Sequence, residues 1–285
     1  MKKAPIILLH FAKLCYNLDM KILKCPVCGK PLHREKKSFF CDARHCYDIA
    51  KSGYVNLLAP NQKRTPLPGD NAEMIAARTA LMDKGYYDNL ADCVNNILGE
   101  KPCKTVLDIG CGEGVISRKI KEHYPETCVL GIDISKFAVD TASKRCKENL
   151  YAVASSAALP LLDSTVDVAI NTFAPIDQDE LKRVLVPGGI FIKIVPAPDH
   201  LWQLKELLYE QPYKNPEPSF APEGMTLLGK QTVNSLFTAK GKMIQNLLQM
   251  TPYYYKTPKE SIVRITSMQE ITTLLSFCVL YFSAK

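Results

Sequence analysis

Short apolar runs alternate with amphipathic segments along the chain between residues 104 and 195. The apolar runs are rich in valine and isoleucine and are predicted to be strands, whereas the segments between them have helical spacing. The predicted strands are 105–109, 128–132, 151–154, 166–172 and 190–195, and the predicted helices are 115–123, 136–147 and 179–185. This alternation predicts a Rossmann-like, doubly wound α/β fold, in which helices cover both faces of a parallel sheet.

The segments on either side of this block follow other patterns. Residues 61–70 contain two prolines and a glycine, which is typical of a linker. Apolar positions recur at helical spacing over 71–98, and Gly85 is predicted to divide them into two helices. After residue 200 we expect a helix over 200–210, a proline-rich stretch over 212–222 and mixed elements that complete the sheet.

The first nineteen residues imitate a secretory signal but do not complete one. Their apolar run is short, His10 and Lys13 interrupt it, and no small-residue cleavage site follows. We interpret residues 1–19 as a tail, or as a start assigned upstream of the true start at Met20. No run of about 18 apolar residues occurs elsewhere, so the sequence predicts no transmembrane helix.

Positive charge is concentrated at the front of the chain. Of a net charge of +7, residues 1–65 hold 13 Lys or Arg against 4 Asp or Glu, whereas the rest of the chain holds 23 against 25. A basic patch on a small module fits a polyanion such as nucleic acid, although lysines also serve simply to keep a module soluble. The candidate phosphate contacts are Lys36, Lys37, Arg44, Lys63 and Arg64.

A cluster of cysteines in the same front segment indicates a metal site. Cys25 and Cys28 form a Cys-x2-Cys pair, and Cys41 and His45 follow with Cys-x3-His spacing, which is typical of zinc ligands. Four protein ligands complete a tetrahedron and leave no open position, so the predicted zinc ion is structural. A module of about 40 residues has little core of its own, so we expect zinc binding to stabilise it.

The fourth zinc ligand is open at this point. Cys46 directly follows His45 and would give a four-cysteine site, and His33 is a weaker candidate that is more typical of a surface residue. Most of the other cysteines lie singly in apolar or helical stretches, as buried free thiols do. One tight cluster and several single thiols indicate a reducing compartment, and we expect a cytoplasmic protein without a disulfide framework.

A glycine-rich turn joins the first predicted strand to the following helix. Gly110 and Gly112 let the backbone bend tightly and approach a ligand closely. The third glycine, Gly114, comes one residue earlier than in the dinucleotide-binding motif, and Asp108 lies two residues before the first glycine. A carboxylate at this turn would repel a pyrophosphate, but it suits the cationic sulfonium and amino group of S-adenosyl-L-methionine.

Further segments extend this pattern into a family resemblance. Asp133 ends the second predicted strand, 25 residues after Asp108, where it is placed to bind ribose hydroxyls. Two more segments follow, residues 159–168 and a Pro-Gly-Gly turn in 183–189. Together with the glycine turn and Asp133, they resemble the motifs of the class I S-adenosylmethionine-dependent methyltransferases. In that family the first of these segments flanks the adenine. The alternatives are a Rossmann oxidoreductase and a fold without a working cofactor site.

A narrower resemblance covers residues 20 to about 255. It is carried by the zinc-ligand pattern and by residues 45–58, 68–74, 77–78, 108–114, 173–175, 200–201 and 248–252. These segments are similar to the bacterial 23S rRNA (guanine-N1)-methyltransferases. The resemblance implies methylation of a guanine N1 in a hairpin of 23S ribosomal RNA, a zinc module that helps to grip this RNA, and a homodimer. It also favours His45 as the fourth zinc ligand. The alternative function is a small-molecule S-adenosylmethionine-dependent methyltransferase.

The resemblance also implies site residues. Tyr87 and His200 are expected to join the glycine turn around the cofactor. The full set of expected cofactor-binding residues is Tyr87, Asp108, Gly110, Gly112, Glu113, Gly114, Val115, Ile116, Asp133, Ile134 and His200. Phe173 and Pro175, at the end of the fourth predicted strand, are expected to form a stacking wall for the target base. The family has a tyrosine at the position of Phe173, so this chain keeps the ring and loses the hydroxyl.

The chemistry of guanine N1 requires a base as well. N1 carries a proton at neutral pH, and its edge is hidden in a base pair, so the guanine must come from a loop or be flipped out. Asp70 and Glu73 are the candidate bases, and a helix cap or a solvated helix residue is the alternative role for each. The predicted domains are a zinc module over 20–60, a linker and helical cover over 61–98, and a methyltransferase domain over 99–285.

Overall fold

A computed structural model describes residues 22–62, 65–99, 103–251, 253–254 and 257–285. The predicted tail, 1–19, and the candidate phosphate contacts Lys63 and Arg64 lie outside these residues. The strands are β1 (His33–Glu35), β2 (Ser38–Phe40), β3 (Cys46–Asp48), β4 (Val55–Asn56), β5 (Thr105–Ile109), β6 (Cys128–Asp133), β7 (Leu150–Val153), β8 (Val166–Thr172), β9 (Leu185–Pro196), β10 (Met225–Lys240) and β11 (Glu270–Ala284). The helices are α1 (Ala72–Met82), α2 (Asp88–Gly99), α3 (Val115–His123), α4 (Lys136–Arg145), α5 (Gln178–Val184), α6 (Trp202–Leu208), α7 (Lys242–Gln249) and α8 (Lys259–Thr266).

The main sheet has eight strands in the order β10-β11-β9-β8-β5-β6-β7-β4. The strands from β9 to β4 pair in parallel, which confirms the doubly wound fold that the alternating pattern predicts. The mixed elements expected after residue 200 do complete the sheet: β10 and β11 form a long antiparallel pair at one edge. The helices α7 and α8 connect these two strands, and the chain returns to the end of the sheet that it left, so Lys240 pairs with Glu270 and the strands run antiparallel.

The helical cover divides where the sequence predicts. Gly85, with φ of +81°, lies in the turn between α1 and α2, and a Cβ there would lie 2.8 Å from Asp88 Oδ2. Asn71 caps α1 by accepting a hydrogen bond from the Met74 amide, so the cap considered for Asp70 belongs to its neighbour. The helix predicted over 136–147 is α4 and ends two residues earlier, because Cys146 has an extended backbone.

The front module is built onto the main sheet. Its strands β1, β2 and β3 form a small antiparallel sheet, whereas β4, also within residues 20–60, pairs in parallel with β7 at the edge of the main sheet. Leu23 forms an antiparallel bridge with Leu161, and both side chains are buried. Leu23, Phe39 and Leu161 share one apolar core with the central strands. The module therefore contributes backbone and core to the domain that it precedes.

Among the described residues, no helix combines the length and the apolar character needed to cross a bilayer.

Candidate active site and metal centre

Four side chains of the front module converge on one point. The ligand atoms of Cys25, Cys28, Cys41 and His45 all lie within 4.8 Å of one another. The Cys28 and Cys41 sulfurs are 3.6 Å apart, and His45 Nδ1 lies 3.4 Å from the Cys41 sulfur and 3.5 Å from the Cys25 sulfur. Tetrahedral zinc with usual bond lengths requires sulfur–sulfur edges of about 3.8 Å and sulfur–nitrogen edges of about 3.6 Å. The four residues fit zinc.

The surroundings of the cluster favour His45 as the fourth ligand. Cys46 is exposed and its sulfur lies 4.0 Å from Asp48 Oδ1, outside the group of four. His33 is a surface residue that pairs with Asp42. The structure therefore brings His45, and neither alternative, to the predicted site. A zinc ion there has a structural role, because four protein ligands leave it no open position.

Hydrogen bonds favour the ligand form of Cys25. Burial opposes ionisation of this thiol, but the Tyr47 hydroxyl, 3.1 Å from its sulfur, and backbone amides at Cys28 and Val27 lower its pKa to about 6. A thiolate is the form of cysteine that binds zinc. Tyr47 is thus placed to orient this candidate metal ligand.

A second feature, a cavity of about 710 Å³, lies at the carboxyl ends of the parallel strands. Ligands bind at this edge in open α/β sheets. All but two of the predicted cofactor and catalytic residues line the cavity. Those that line it are Asp70, Tyr87, Asp108, Gly110, Gly112, Glu113, Val115, Ile116, Asp133, Ile134, Phe173, Pro175 and His200. The two that do not line it are Glu73 and Gly114.

The glycine turn forms the floor of this cavity. Gly110 has φ of +75°, and a Cβ there would lie 2.3 Å from the Ala174 Cβ. Gly114, with φ of +80°, precedes α3, and a Cβ there would lie 2.8 Å from the Ala142 Cβ. Gly110 therefore permits a close approach within the site, whereas Gly114 permits the packing of α3 against α4 and is not a cavity residue.

Two acids lie beside this turn, with different hydrogen-bond partners. Asp133 accepts hydrogen bonds from the amides of Gly112, at 3.0 Å, and Ser135, at 2.8 Å. Asp108 is 1% exposed; burial raises its pKa to about 7, and the hydrogen bond from the Ser117 hydroxyl only partly offsets this effect. Near neutral pH, Asp108 is therefore poised between its acid and its carboxylate, and a cation beside it would favour the carboxylate.

An unpartnered acceptor in the cavity fits a ligand that donates hydrogen bonds. Glu113 lines the cavity and is 2% exposed, and its Oε1 is buried without a hydrogen-bond partner among the described residues. A buried polar atom without a partner is costly, so a ligand that donates to it gains affinity. With Asp108 and Asp133, it makes a set of acceptors suited to the amino, sulfonium and ribose groups of S-adenosylmethionine.

Aromatic rings close the opposite side of the cavity. Phe173 is 41% exposed and has a left-handed backbone, with φ of +59°. Its ring centroid lies 6.3 Å from that of Tyr87, 6.2 Å from that of His200 and 5.9 Å from that of Phe277. A non-glycine residue in this conformation is strained, and such strain persists where the surrounding structure holds it. The turn therefore presents an exposed ring on a rigid support.

His200 is neutral in this setting. The Ser276 amide donates to His200 Nδ1 at 3.2 Å, so the ring proton lies on Nε2. Burial lowers the pKa of the imidazole to about 4. The residue offers the cavity a hydrogen-bond donor without a charge.

The two candidate bases have different surroundings. Asp70 lines the cavity and forms an ion pair with Arg78, at 2.7 Å between Oδ2 and Nη2. Glu73 lies exposed in the first turn of α1. Arg78, which also lines the cavity, was not among the predicted site residues, although it lies in a segment of the family resemblance.

A lysine at this edge of the sheet was missed as well. Lys193 of β9 lines the cavity and donates hydrogen bonds to Asn171 Oδ1 and, at 3.1 Å, to the Ala174 carbonyl. Nothing in the local sequence marks it, because a single lysine within an apolar strand fits no motif. Its place in the site follows from the pairing of β8 with β9, which sets Asn171 opposite Lys193.

Comparisons with known proteins agree with this arrangement. Residues 23–66 match the family model described as "RlmA, N-terminal", a zinc ribbon, and residues 106–189 match a methyltransferase domain. A 23S rRNA (guanine(748)-N(1))-methyltransferase of Streptomyces fradiae is 36% identical over 194 residues, which is 66% of this chain and 68% of that protein.

Other relatives differ in the share of the chain that they cover. YxjB of Bacillus subtilis, provisionally named a 23S rRNA (guanine-N(1)-)-methyltransferase, is 30% identical over 89% of this chain and 94% of that protein. A malonyl-[acyl-carrier protein] O-methyltransferase of Coxiella burnetii is 30% identical over only 45% of this chain and 47% of that protein. Because the zinc ribbon, the methyltransferase domain and relatives that span both agree, the chain belongs to the family of 23S rRNA (guanine-N1)-methyltransferases.

Proposed function

We propose that the protein transfers the methyl group of S-adenosylmethionine to N1 of a guanine in a hairpin of 23S ribosomal RNA. The observation that carries this proposal is the joining of a zinc-ligand cluster and an acid-lined cavity in one fold, through β4 and the bridge between Leu23 and Leu161. A small-molecule methyltransferase needs the cavity but has no use for a basic zinc module.

The floor of the cavity is proposed to hold the cofactor. Asp133 is placed to accept from ribose hydroxyls, because its oxygens keep lone pairs beyond those that bind the Gly112 and Ser135 amides. Asp108 and Glu113 favour the cationic amino acid end. When bound, S-adenosylmethionine supplies an activated methyl group, so the main task of the protein is to align acceptor and methyl.

The aromatic side of the cavity is proposed to receive the target base. Phe173 and Pro175 present flat apolar surface at the mouth, and stacking on such surface stabilises a base removed from its helix. Phenylalanine is sufficient for this task, since stacking does not use the hydroxyl of the tyrosine found in the family.

Of the two candidate bases, the surroundings favour Asp70. It lines the cavity, and its ion pair with Arg78 fixes the position of the carboxylate at the cavity wall. Glu73 is exposed and stands outside the cavity. We therefore assign the base role to Asp70, and a water molecule is the alternative proton acceptor.

The remaining features concern the RNA, the assembly and the compartment. Lys36 and Arg44 have left-handed backbones in exposed turns of the zinc module, which presents their charges outward, toward phosphates.

We also propose that the protein acts as a homodimer in the cytoplasm, where ribosomal RNA is modified and cysteine remains reduced.

Mass spectrometry of nucleosides from a strain that lacks the gene tests the proposal. Ribosomal and transfer RNA are analysed separately, and the wild-type gene is restored as a control. Loss of 1-methylguanosine from 23S RNA alone supports substrate, atom and enzyme together. Loss of a different methylated nucleoside overturns the substrate assignment, and unchanged RNA favours a small-molecule substrate.

A further inference from the structure

The ammonium group of Lys193 has unusual surroundings. The side chain is 8% exposed, and the hydrogen bonds described above join Nζ to the Asn171 amide oxygen and the Ala174 carbonyl, which are both neutral. Among the described residues, no carboxylate lies within ion-pair distance of it. A buried cation without a counter-ion is costly, and burial lowers the pKa of Lys193 to about 8. Nζ also lies 5.5 Å from the centroid of the Phe220 ring, a weak cation–π contact. An anion that arrives or forms beside Lys193 would offset more of the cost of burial.

The position of Lys193 places it beside the target base rather than the cofactor. Asn171, its neighbour on β8, also donates to the Ile109 carbonyl at 3.0 Å, so the group ties together the ends of β5, β8 and β9. Ala174, whose carbonyl Lys193 binds, lies between the two residues of the stacking wall, Phe173 and Pro175. The ammonium group therefore supports the same turn that is proposed to hold the base.

The second cation of the cavity is already neutralised. Arg78 forms its ion pair with Asp70, and its charge also interacts with Glu113 and Asp133. It lies over the glycine turn, since a Cβ at Gly112 would be 3.4 Å from its Nη1. Among the described residues that line the cavity, Lys193 is thus the cation whose charge no ion pair offsets.

We propose that Lys193 is a catalytic residue that donates a hydrogen bond to O6 of the target guanine and stabilises the anion formed as N1 loses its proton. This inference rests on the proposed function. In the reaction, the N1 proton passes to Asp70 or water, and the N1 electron pair bonds to the methyl carbon. The carbon–sulfur bond breaks, and its electrons remain on sulfur. Negative charge that develops on O6 then faces a fixed cation in a site shielded from water.

The same contact selects guanine over adenine. Guanine presents an acceptor, O6, where adenine presents an amino group that donates. An ammonium group is a donor only, so it attracts the first and repels the second. Lys193 would thus determine which purine is methylated as well as how fast.

The variant Lys193→Met tests the proposal, and Lys193→Arg is the variant that keeps the charge. The matched control is Lys240→Met, because Lys240 is an exposed lysine at the last position of β10. Single-turnover methylation of a 23S hairpin transcript is measured, together with calorimetric binding of S-adenosylmethionine and the melting temperature. We expect Lys193→Met to lower the rate roughly 10²-fold with cofactor affinity unchanged, and Lys193→Arg to restore part of it.

A substrate analogue separates this role from mere support of the turn. N1 of 6-thioguanine is more acidic than N1 of guanine, so it depends less on Lys193 when it loses its proton. On a transcript with 6-thioguanine at the target, the ratio of the wild-type rate to the Lys193→Met rate should therefore be about tenfold smaller. Equal losses on both transcripts, or a Lys193→Met rate within threefold of wild type, overturn the proposal. Absence of 1-methylguanosine from the wild-type reaction overturns the proposed function itself, and the role of Lys193 with it.

Discussion

The amide of Lys24 donates a hydrogen bond to the carbonyl of Pro160 at 3.0 Å. Lys24 directly precedes the zinc ligand Cys25, and Pro160 belongs to the segment that flanks the adenine in class I methyltransferases. Ala154 and Ser156, a few residues before it, line the cavity. The zinc module and one wall of the cofactor site are therefore joined through the backbone, and a change in one is expected to affect the other.

Loss of zinc should consequently weaken cofactor binding. Cys28→Ser removes a ligand, and we expect less bound zinc, a lower melting temperature and an affinity for S-adenosylmethionine reduced roughly tenfold, a typical coupling between sites. Metal analysis and calorimetry provide the measurements. Cys46→Ser is the matched control, because this exposed cysteine lies outside the cluster. Undiminished cofactor affinity in zinc-free Cys28→Ser would show that the two parts are independent.

Gly110→Ala should damage the site more than an ordinary glycine replacement. The new Cβ would lie 2.3 Å from that of Ala174, so the turn that carries Phe173 must shift. Gly188→Ala is the control, since Gly188 has nearly the same φ, +74°, with nothing within 4 Å of the added carbon. We expect the control to cost about 1–2 kcal/mol of unfolding free energy from backbone strain alone, and Gly110→Ala to cost about 1–3 kcal/mol more. Chemical denaturation measures both, and equal losses would contradict the predicted clash.

Cofactor binding should strengthen as pH rises through neutrality. Burial raises the pKa of Asp108 to about 7, and the charges of Glu113 and Asp133 act in the same direction, so below pH 7 the free protein holds a proton there. A cationic ligand favours the carboxylate, so binding releases this proton. We expect calorimetry in buffers of different ionisation enthalpy to show proton release at pH 6.5 that disappears at pH 8.5. Proton release that persists in Asp108→Asn would assign the proton to another group.

The two candidate bases should separate clearly in kinetics. Glu73 is exposed and outside the cavity, so Glu73→Gln should methylate RNA at a rate within about twofold of wild type, as most surface changes do. Asp70→Asn removes the proposed base and leaves Arg78 without its ion-pair partner, so we expect a rate roughly 10²-fold lower. Single-turnover rates provide the measurement. A slow Glu73→Gln beside a fast Asp70→Asn would reverse the assignment.

The sequence by itself determined the features that depend on short spacing. The zinc ligands Cys25, Cys28 and Cys41, the turn at Gly110 and the alternating strands and helices between residues 104 and 195 could be inferred, because each rests on residues close together along the chain. The choice of the fourth ligand, His45 or Cys46, needed coordinates, since adjacent residues have similar spacing but point in different directions.

Tertiary structure decided the features that depend on distant segments. The insertion of β4 beside β7, the ion pair of Asp70 with Arg78 and the position of Lys193 beside Asn171 were decided by packing and by strand register. A lone lysine in an apolar strand is indistinguishable in sequence from an edge or surface residue. Its chemistry arises only when the sheet buries it beside a turn held in a strained conformation, because burial removes the water that would otherwise screen its charge.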